Sequence, residues 1–311
     1  MSKIKLAILT GGDSSEREAA LMGGEQVEKH INKEKYDYKV FDLPTDGTDR
    51  QWLIDLINWQ PEVCFLALLG GHGENGSIPG LLETLHIPYC GSGVIASAIG
   101  MDKTVQRLVL NSVGIQTTEG MPVKTDEDAA AAVKKYGFPL VVKPNANGSS
   151  IGVTIVKNEE DYMPAIEKAR SIDSEDYPVV EKFVAGPEVT CGVLEKDGEV
   201  LALRPIEIKV ATEFYDYDAK YFDDRTSLEL MPDSPLVDRI KSAAIAVYRA
   251  LGCSGYGRVD SMVDENGEVF VMEINTLPGM TSHSLLPKAA TEFWTYSELL
   301  DIIIGERLSH A

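Results

Sequence analysis

The chain has 311 residues, 44% hydrophobic and 25% charged, enough for one large core or two to three smaller ones. Its net charge of −20, from 49 acids against 29 bases, argues against binding to nucleic acid or to anionic membranes, and no apolar run is long enough to cross a bilayer. Cys64, Cys90, Cys191 and Cys253 form no CxxC pair, so neither a zinc site nor a disulfide framework is expected, and free thiols suit a reducing cytoplasm.

The start, MSKIKLAILTGG, carries a short apolar run closed by Gly11-Gly12 and reads as a buried strand, not a signal peptide. In SSERE, Ser15 and Glu18 have capping-box spacing, which predicts a helix from about Glu16 to His30. YKVFDL and EVCFLALLG read as further strands, with a helix around 50–58 between them. This alternation predicts a parallel sheet flanked by helices. Beyond IPYCGSG the texture changes. Residues 102–113, 126–136 and 159–172 read as helices and FPLVVKP, IGVTIVK and YPVVEKF as strands, without simple alternation. VTCGVLE, a turn at Gly198 and VLALRPIEI make a hairpin pattern. A loop rich in Tyr and Asp (213–227) precedes a helix at about 235–251. The expectation is a mixed α/β and α+β chain of three lobes: 1–98 (a parallel α/β lobe), 99–184 and 185–311.

The segment GYGRVDSMVDENGEVFVMEIN sets two acids, an amide and an arginine among valines. Asn266-Gly267 is a two-residue turn signal. Such a turn puts Glu265 opposite Glu268, and therefore Asp260 opposite Glu273 and Arg258 opposite Asn275. Strand alternation then places those four on one face and Val259, Val263, Phe270, Met272 and Ile274 on the other, toward a core. Opposed carboxylates repel, and a cation reverses that sign. Asp, Glu and Asn offer hard oxygens that suit magnesium or manganese over zinc, and magnesium borrows further oxygens from phosphate. The face reads as a platform for a metal–nucleotide, with Arg258 beside it to stabilise charge on a transferred group. A solvated pair of acids is the plain alternative. A calcium loop does not fit, because DENG lacks spaced acids before its glycine.

VVKPNANGSSIGV (141–153) is strand, Gly/Ser loop, strand. It lacks the P-loop pattern and a following helix, so neither a P-loop nor a Rossmann phosphate site applies. Its backbone N–H groups and serines can still lie over phosphates, with Lys143 as charge partner; an ordinary hairpin loop is the alternative. The end of VVEKFVAGPE offers backbone groups to an adenine and Glu188 to a ribose, or is only an edge strand.

GGDSSERE, GENGS…GLLE…IPYCGSG…MDK, KPNANGSSIG, EKFVAGPE, YDYDAKY, GYGRVD and EINTLPGMTSHS occur in that order. Together they resemble the D-alanine–D-alanine ligases of the ATP-grasp superfamily, from about Lys5 to Leu300. The resemblance implies an ATP-grasp fold with ATP clamped between the central and C-terminal lobes. It implies phosphorylation of one D-alanine carboxylate by ATP, then attack by the amine of a second D-alanine, giving the dipeptide for peptidoglycan. It also implies magnesium or manganese, two ions per site, and a cytoplasmic homodimer joined through the first lobe. In the family's pattern Asp260, Glu273 and Asn275 match the metal ligands. Arg258 and the backbone at Gly279 match the oxyanion stabilisers. Lys103 and Lys143 match the phosphate lysines, and Glu181, Lys182, Val184 and Glu188 the adenine and ribose contacts. Glu16 matches the acid that holds the first substrate's ammonium, with Ser149 and Tyr221 as its partners. Lys220 matches a loop lysine near the nucleotide, and Ser284 and Leu285 the pocket for the second carboxylate.

One stretch departs. The family commonly reads L-H-G, two residues, then G-E-D-G, where this chain has LLGGHGENG (68–76). Leu69 replaces the histidine and Asn75 the aspartate. This puts the identity of the second substrate (D-serine, D-lactate or an L-amino acid) in question. His72 either compensates from a shifted loop or is a solvated loop histidine.

Overall fold

A computed structural model describes residues 2–46, 48–172, 177–209 and 227–309. The chain opens with β1 (Ile4–Gly11), α1 (Arg17–His30), β2 (Tyr36–Leu43), α2 (Gln51–Trp59) and β3 (Val63–Leu68). Short helices α3 (Gly71–Glu74) and α4 (Ser77–Thr84) lead to β4 (Tyr89–Cys90) and α5 (Val94–Met101). These strands form a parallel sheet ordered β2-β1-β3-β4. β3 is buried throughout, as an unbroken apolar run requires of a strand covered on both faces.

Next come α6 (Lys103–Ser112), β5 (Gly120–Pro122), α7 (Asp126–Tyr136), β6 (Leu140–Pro144), β7 (Thr154–Val156), α8 (Tyr162–Ile172) and β8 (Pro178–Lys182). Their strands make an antiparallel sheet ordered β5-β8-β6-β7. The third sheet takes β9 (Glu188–Lys196), β10 (Glu199–Ala202), β11 (Ile206–Lys209), β12 (Ser227–Leu230), β13 (Tyr256–Val263) and β14 (Val269–Asn275). Its order is β12-β11-β9-β13-β14, with β10 also paired to β9. α9 (Pro235–Ala250), α10 (Leu285–Ala290) and α11 (Tyr296–Ser309) complete the fold.

The first and third sheets share one core, in which Leu6, Ile8 and Phe65 meet Leu194, Tyr256, Leu277 and Leu286. Phe65 and Tyr256 stack at 6.1 Å, and the Tyr256 hydroxyl donates to the Leu66 carbonyl at 3.3 Å. The middle sheet packs around its own core of Leu140, Val142, Ile166 and Val180. It joins the third sheet along the edge of β14, where Thr118 N–H donates to Val271 O at 3.1 Å and Val271 N–H to Gln116 O at 3.0 Å. All four cysteines are free and buried. Burial pushes Cys64 and Cys191 up to about 12 and Cys253 up to about 11, so these are not nucleophiles at neutral pH. Among the described residues no helix is long and apolar enough to cross a membrane.

Two local expectations need correction. Ser15 does not cap α1. Its N-cap is Glu16, without a side-chain cap bond, and the hydroxyl that accepts the Glu16 N–H, at 3.1 Å, belongs to Ser14. Ser14 is held there by donating to Leu69 O at 2.5 Å. The hairpin register is also off by one residue at its tip. Asp264, not Glu265, faces Glu268, across a three-residue loop of Glu265, Asn266 and Gly267. Gly267 has φ +76°, the left-handed residue that ends such a loop. A β-bulge at Met272 then restores the expected register: Asp260 faces Glu273 and Arg258 faces Asn275. The bulge also changes the faces. Val259, Val263, Val271 and Ile274 enter the core, whereas Met272 and Glu273 line the cleft together, opposite Met262 and Asp260. Phe270, paired with Met262, lies outside that buried core.

Gly267→Ala places a Cβ in the left-handed region. A loss of about 1–2 kcal/mol of stability is expected, read by thermal or denaturant unfolding.

Candidate active site

A cleft of about 260 Å³ opens between the middle sheet and the β13–β14 hairpin. Val141 and Ile155 line one wall, and Met262 and Met272 the other, leaving an apolar slot for a flat ring. Lys182, Val184 and Glu188 border it where β8 passes into β9. The basic residues that an acidic chain needs for an anion are gathered here. Lys103 opens α6, whose N-terminus is capped by Asp102 accepting from Val105 N–H at 2.9 Å. Lys143 stands near the end of β6, with its Nζ 2.7 Å from Glu181 Oε1. Glu181 is buried and also takes Arg107 and, at 3.0 Å, the Thr118 hydroxyl.

The opposed acids are neutralised from within the chain. Arg258 donates to both Asp260 oxygens, from Nε at 2.9 Å and Nη2 at 2.7 Å. Asn275 Nδ2 donates to Asp260 Oδ2 at 3.0 Å, and the Thr190 hydroxyl donates to Oδ1. Glu273 Oε2 lies 3.3 Å from Lys103 Nζ, which also donates to Asn147 O at 2.6 Å. Among the described residues, no group of three or more His, Cys, Asp or Glu side chains is placed to hold a metal. Two carboxylates and an amide on one cleft face fit magnesium differently. They supply hard oxygens for part of an octahedron and leave positions for phosphate and water. The amide presents its oxygen by a half-turn of the Asn275 side chain.

The cleft continues into a smaller pocket of about 40 Å³, meeting it at Gly148, Glu188, Ile208 and Asp260. This pocket brings together Glu16, Ser149, Arg258, Gly279, Ser284 and Leu285. Ser149, left-handed at φ +50°, donates its hydroxyl to Glu16 Oε1. The Glu16 carboxylate is clamped between two glycines. A Cβ at Gly148 would lie 2.5 Å from its Oε2, and one at Gly70 2.8 Å. Ser284 Oγ accepts from Thr281 N–H at 2.9 Å, beside Gly279. Tyr221 and Lys220 lie outside the described residues.

His72 does not take the place that Leu69 leaves. Its side chain is 69% exposed and pairs with Asp13, while Leu69 lines the pocket and packs on Ala19 and Ala20 of α1. Asn75 turns to accept the Ser77 N–H at 3.0 Å.

Three sheets, with a cleft gripped between the second and third, are the architecture of ATP-grasp ligases. A family model described as the D-ala D-ala ligase C-terminus matches residues 109–305. The D-alanine–D-alanine ligase of Bacillus anthracis is 41% identical over 98% of this chain and 97% of its own length. A crystal structure of D-alanine–D-alanine ligase from that organism complexed with ATP has TM-score 0.82 at 38% identity, covering 100% of this chain and 98% of that one. The VanG D-Ala:D-Ser ligase of Enterococcus faecalis has TM-score 0.84 at 29% identity, covering 98% and 100%. The chain belongs to the D-alanine–D-alanine ligase family.

Sequence reasoning passed over Glu74, Arg107 and Thr190, and assigned the cleft-lining Met272 to the core. Arg107 carries a readable signal, standing four residues after Lys103 on one helix, and so on the same face. Glu74 carries its signal in the GENG run, but its burial depends on the whole pocket. It accepts the Gly70 N–H at 3.0 Å. Desolvation, and secondarily the negative charge of Glu16, push it up to about 7.

A carboxyl raised from 4.5 to about 7 favours the fold in its protonated form. Stability therefore falls as pH rises through that window, by roughly 3 kcal/mol in all. Glu74→Gln lacks this loss. The melting temperature of the variant should gain on that of the unliganded native protein between pH 5 and pH 8, and parallel curves would show that Glu74 does not titrate there.

Proposed function

We propose that this protein joins two D-alanines into D-alanyl-D-alanine, converting ATP to ADP and phosphate, for peptidoglycan synthesis. One observation carries the reading: Arg258, Asp260, Glu273 and Asn275 share a face where a nucleotide-sized cleft opens into the pocket of Glu16, Ser149 and Ser284. The adenine enters the slot between Met262, Met272, Val141 and Ile155, beside the backbone of Lys182 and Val184, with Glu181 behind and Glu188 at the ribose. Lys103 and Lys143 hold the phosphates. Asp260, Glu273 and Asn275 would hold two magnesium or manganese ions, which neutralise phosphate charge when bound. Arg258 and Lys103, now paired with Asp260 and Glu273, stand beside the position of the reacting groups.

Glu16, with Ser149, holds the ammonium of the first D-alanine and aims its carboxylate at the γ-phosphate. A carboxylate oxygen takes the phosphoryl group and ADP is the leaving group. Ser284 and Leu285 hold the second carboxylate, so that its amine, after losing a proton, attacks the acyl carbon. Arg258 and the backbone at Gly279 stabilise the oxyanion, and collapse expels phosphate and leaves the amide. Positioning and charge neutralisation do most of this work. The acyl phosphate hydrolyses unless water is kept out. The family pattern assigns that exclusion in part to Tyr221 and Lys220, which lie outside the described residues.

We place the division between lobes at residues 98 and 184, and the protein in the cytoplasm as a homodimer joined through the first lobe. The exposed Ile54 and Ile57 of α2 support that contact. A second reading, a ligase with another second substrate such as D-serine, D-lactate or an L-amino acid, is favoured by one observation. Leu69 gives the pocket an apolar side chain where the family pattern has histidine, and His72 faces solvent.

ADP release should require both D-alanine and magnesium, measured across a panel of D- and L-amino acids and D-lactate. Release that ignores D-alanine but answers another acceptor establishes the second reading. Glu273→Gln should raise the magnesium requirement and lower kcat about 100-fold, roughly 3 kcal/mol of lost charge stabilisation, with the circular dichroism spectrum retained. Unchanged turnover at limiting magnesium would remove Glu273 from the metal set.

A further inference from the structure

The cleft floor contains a buried ionic cluster with more positive than negative charge. Arg107 Nη2 and Lys143 Nζ both pair with Glu181 Oε1, the lysine at 2.7 Å. The Thr118 hydroxyl donates to Glu181 Oε2 at 3.0 Å, and Arg107 Nε donates to Thr118 O at 2.9 Å. Arg107, Thr118 and Glu181 thus close a ring of hydrogen bonds. Gly120, opposite Glu181 in the β5–β8 pair, makes the ring possible. A Cβ there would lie 2.8 Å from Glu181 Cγ and 3.0 Å from Arg107 Cζ.

The two cations are not equivalent. Lys143 lines the cleft and Arg107 does not. Lys143 has a flexible stem, whereas Arg107 is locked by a planar fork that reaches two acceptors at once. Two cations on one carboxylate leave one positive charge over, in a chain whose net charge is −20. Because Lys143 shares its carboxylate with Arg107, it can give up that contact for an anion in the cleft without leaving Glu181 unpaired. A lysine that turned from Glu181 to a phosphate would strand a buried carboxylate if nothing else neutralised it.

We propose that Arg107 is a positioning residue for nucleotide phosphates: it neutralises Glu181 from behind the cleft and so frees Lys143 for an anionic oxygen of the ligand. The proposal rests on the reading of the cleft as the ATP site. Arg107 touches no substrate; it acts through Lys143. Its effect therefore falls most on phosphate-bearing ligands, less on the nucleoside, which meets Glu181 behind the adenine, and spares D-alanine.

The test is binding of ATP, ADP and adenosine to the full-length protein by calorimetry, with KM for D-alanine, for Arg107→Met and Arg107→Lys. The methionine variant should lose about tenfold or more in ATP and ADP affinity, the scale of one charge-assisted hydrogen bond. Adenosine should lose several-fold less affinity than ATP, the D-alanine KM should stay within about twofold, and the lysine variant should recover most of the loss. In a double-mutant cycle, Lys143→Met should cost far less ATP affinity beside Arg107→Met than alone. Equal losses for adenosine and ATP, or additive losses in the cycle, would reduce Arg107 to a packing role and overturn the proposal. If Arg107→Met does not fold, Arg107→Gln, which keeps hydrogen bonds without charge, carries the same comparison. A native protein that binds neither ATP nor ADP sinks the reading of the cleft itself, a result distinct from any variant's failure.

Discussion

Asp260 and Glu273 face each other across two antiparallel strands, and most of the cleft is organised around the charge that allows it. Like charges in directly opposed positions weaken a sheet. Here each acid has its own cation: Arg258 on Asp260, from two positions earlier on the same strand, and Lys103 on Glu273, from the first turn of α6. These internal pairs hold the two acids aligned side by side. If the cleft takes a metal–nucleotide as proposed, that ligand would give the acids new partners and leave the two cations free for transferred negative charge. The pairing that steadies the hairpin and the chemistry of the site are therefore one electrostatic arrangement.

The same logic extends to the walls. Glu181 is held by Arg107, Lys143 and Thr118, and Glu16 is wedged between Gly70 and Gly148 with Ser149 on its other oxygen. Gly70 follows the first sheet and Gly148 belongs to the middle one, so Glu16 is gripped by two parts of the molecule with separate cores. Glu74 adds a second buried carboxyl close by, and the mutual repulsion of Glu16 and Glu74 helps keep the latter's affinity for its proton high.

Much of the fold was legible because it rests on local periodicity. The β-α-β alternation of the first hundred residues, the helices on either side of β6 to β8, and α9 all follow from spacing and caps. The short helices α3, α4, α5 and α10 were not read, since four to eight residues carry too little periodicity. The hairpin is more instructive. Asn266-Gly267 pointed to a two-residue turn, but the chain makes a three-residue loop, with Asp264 accepting the N–H groups of Asn266 and Glu268 at 2.9 and 2.8 Å. That error shifts the register by one, and the bulge at Met272 shifts it back. The facing pairs were right at the site through two compensating features, while the assignment of Phe270 and Met272 to the core was wrong.

By itself the sequence determined which chemistry is available: an ordered set of motifs, hard oxygen donors on one strand pair, and lysines beside a glycine-rich loop. Those are properties of residue type and spacing, which survive without coordinates. Only the tertiary structure decided what is buried with what. It turned His72 to solvent, set Leu69 into the pocket, raised Glu74, and stacked Arg107 behind Glu181. Each of these depends on desolvation by segments distant in the chain, and local sequence has no measure of that.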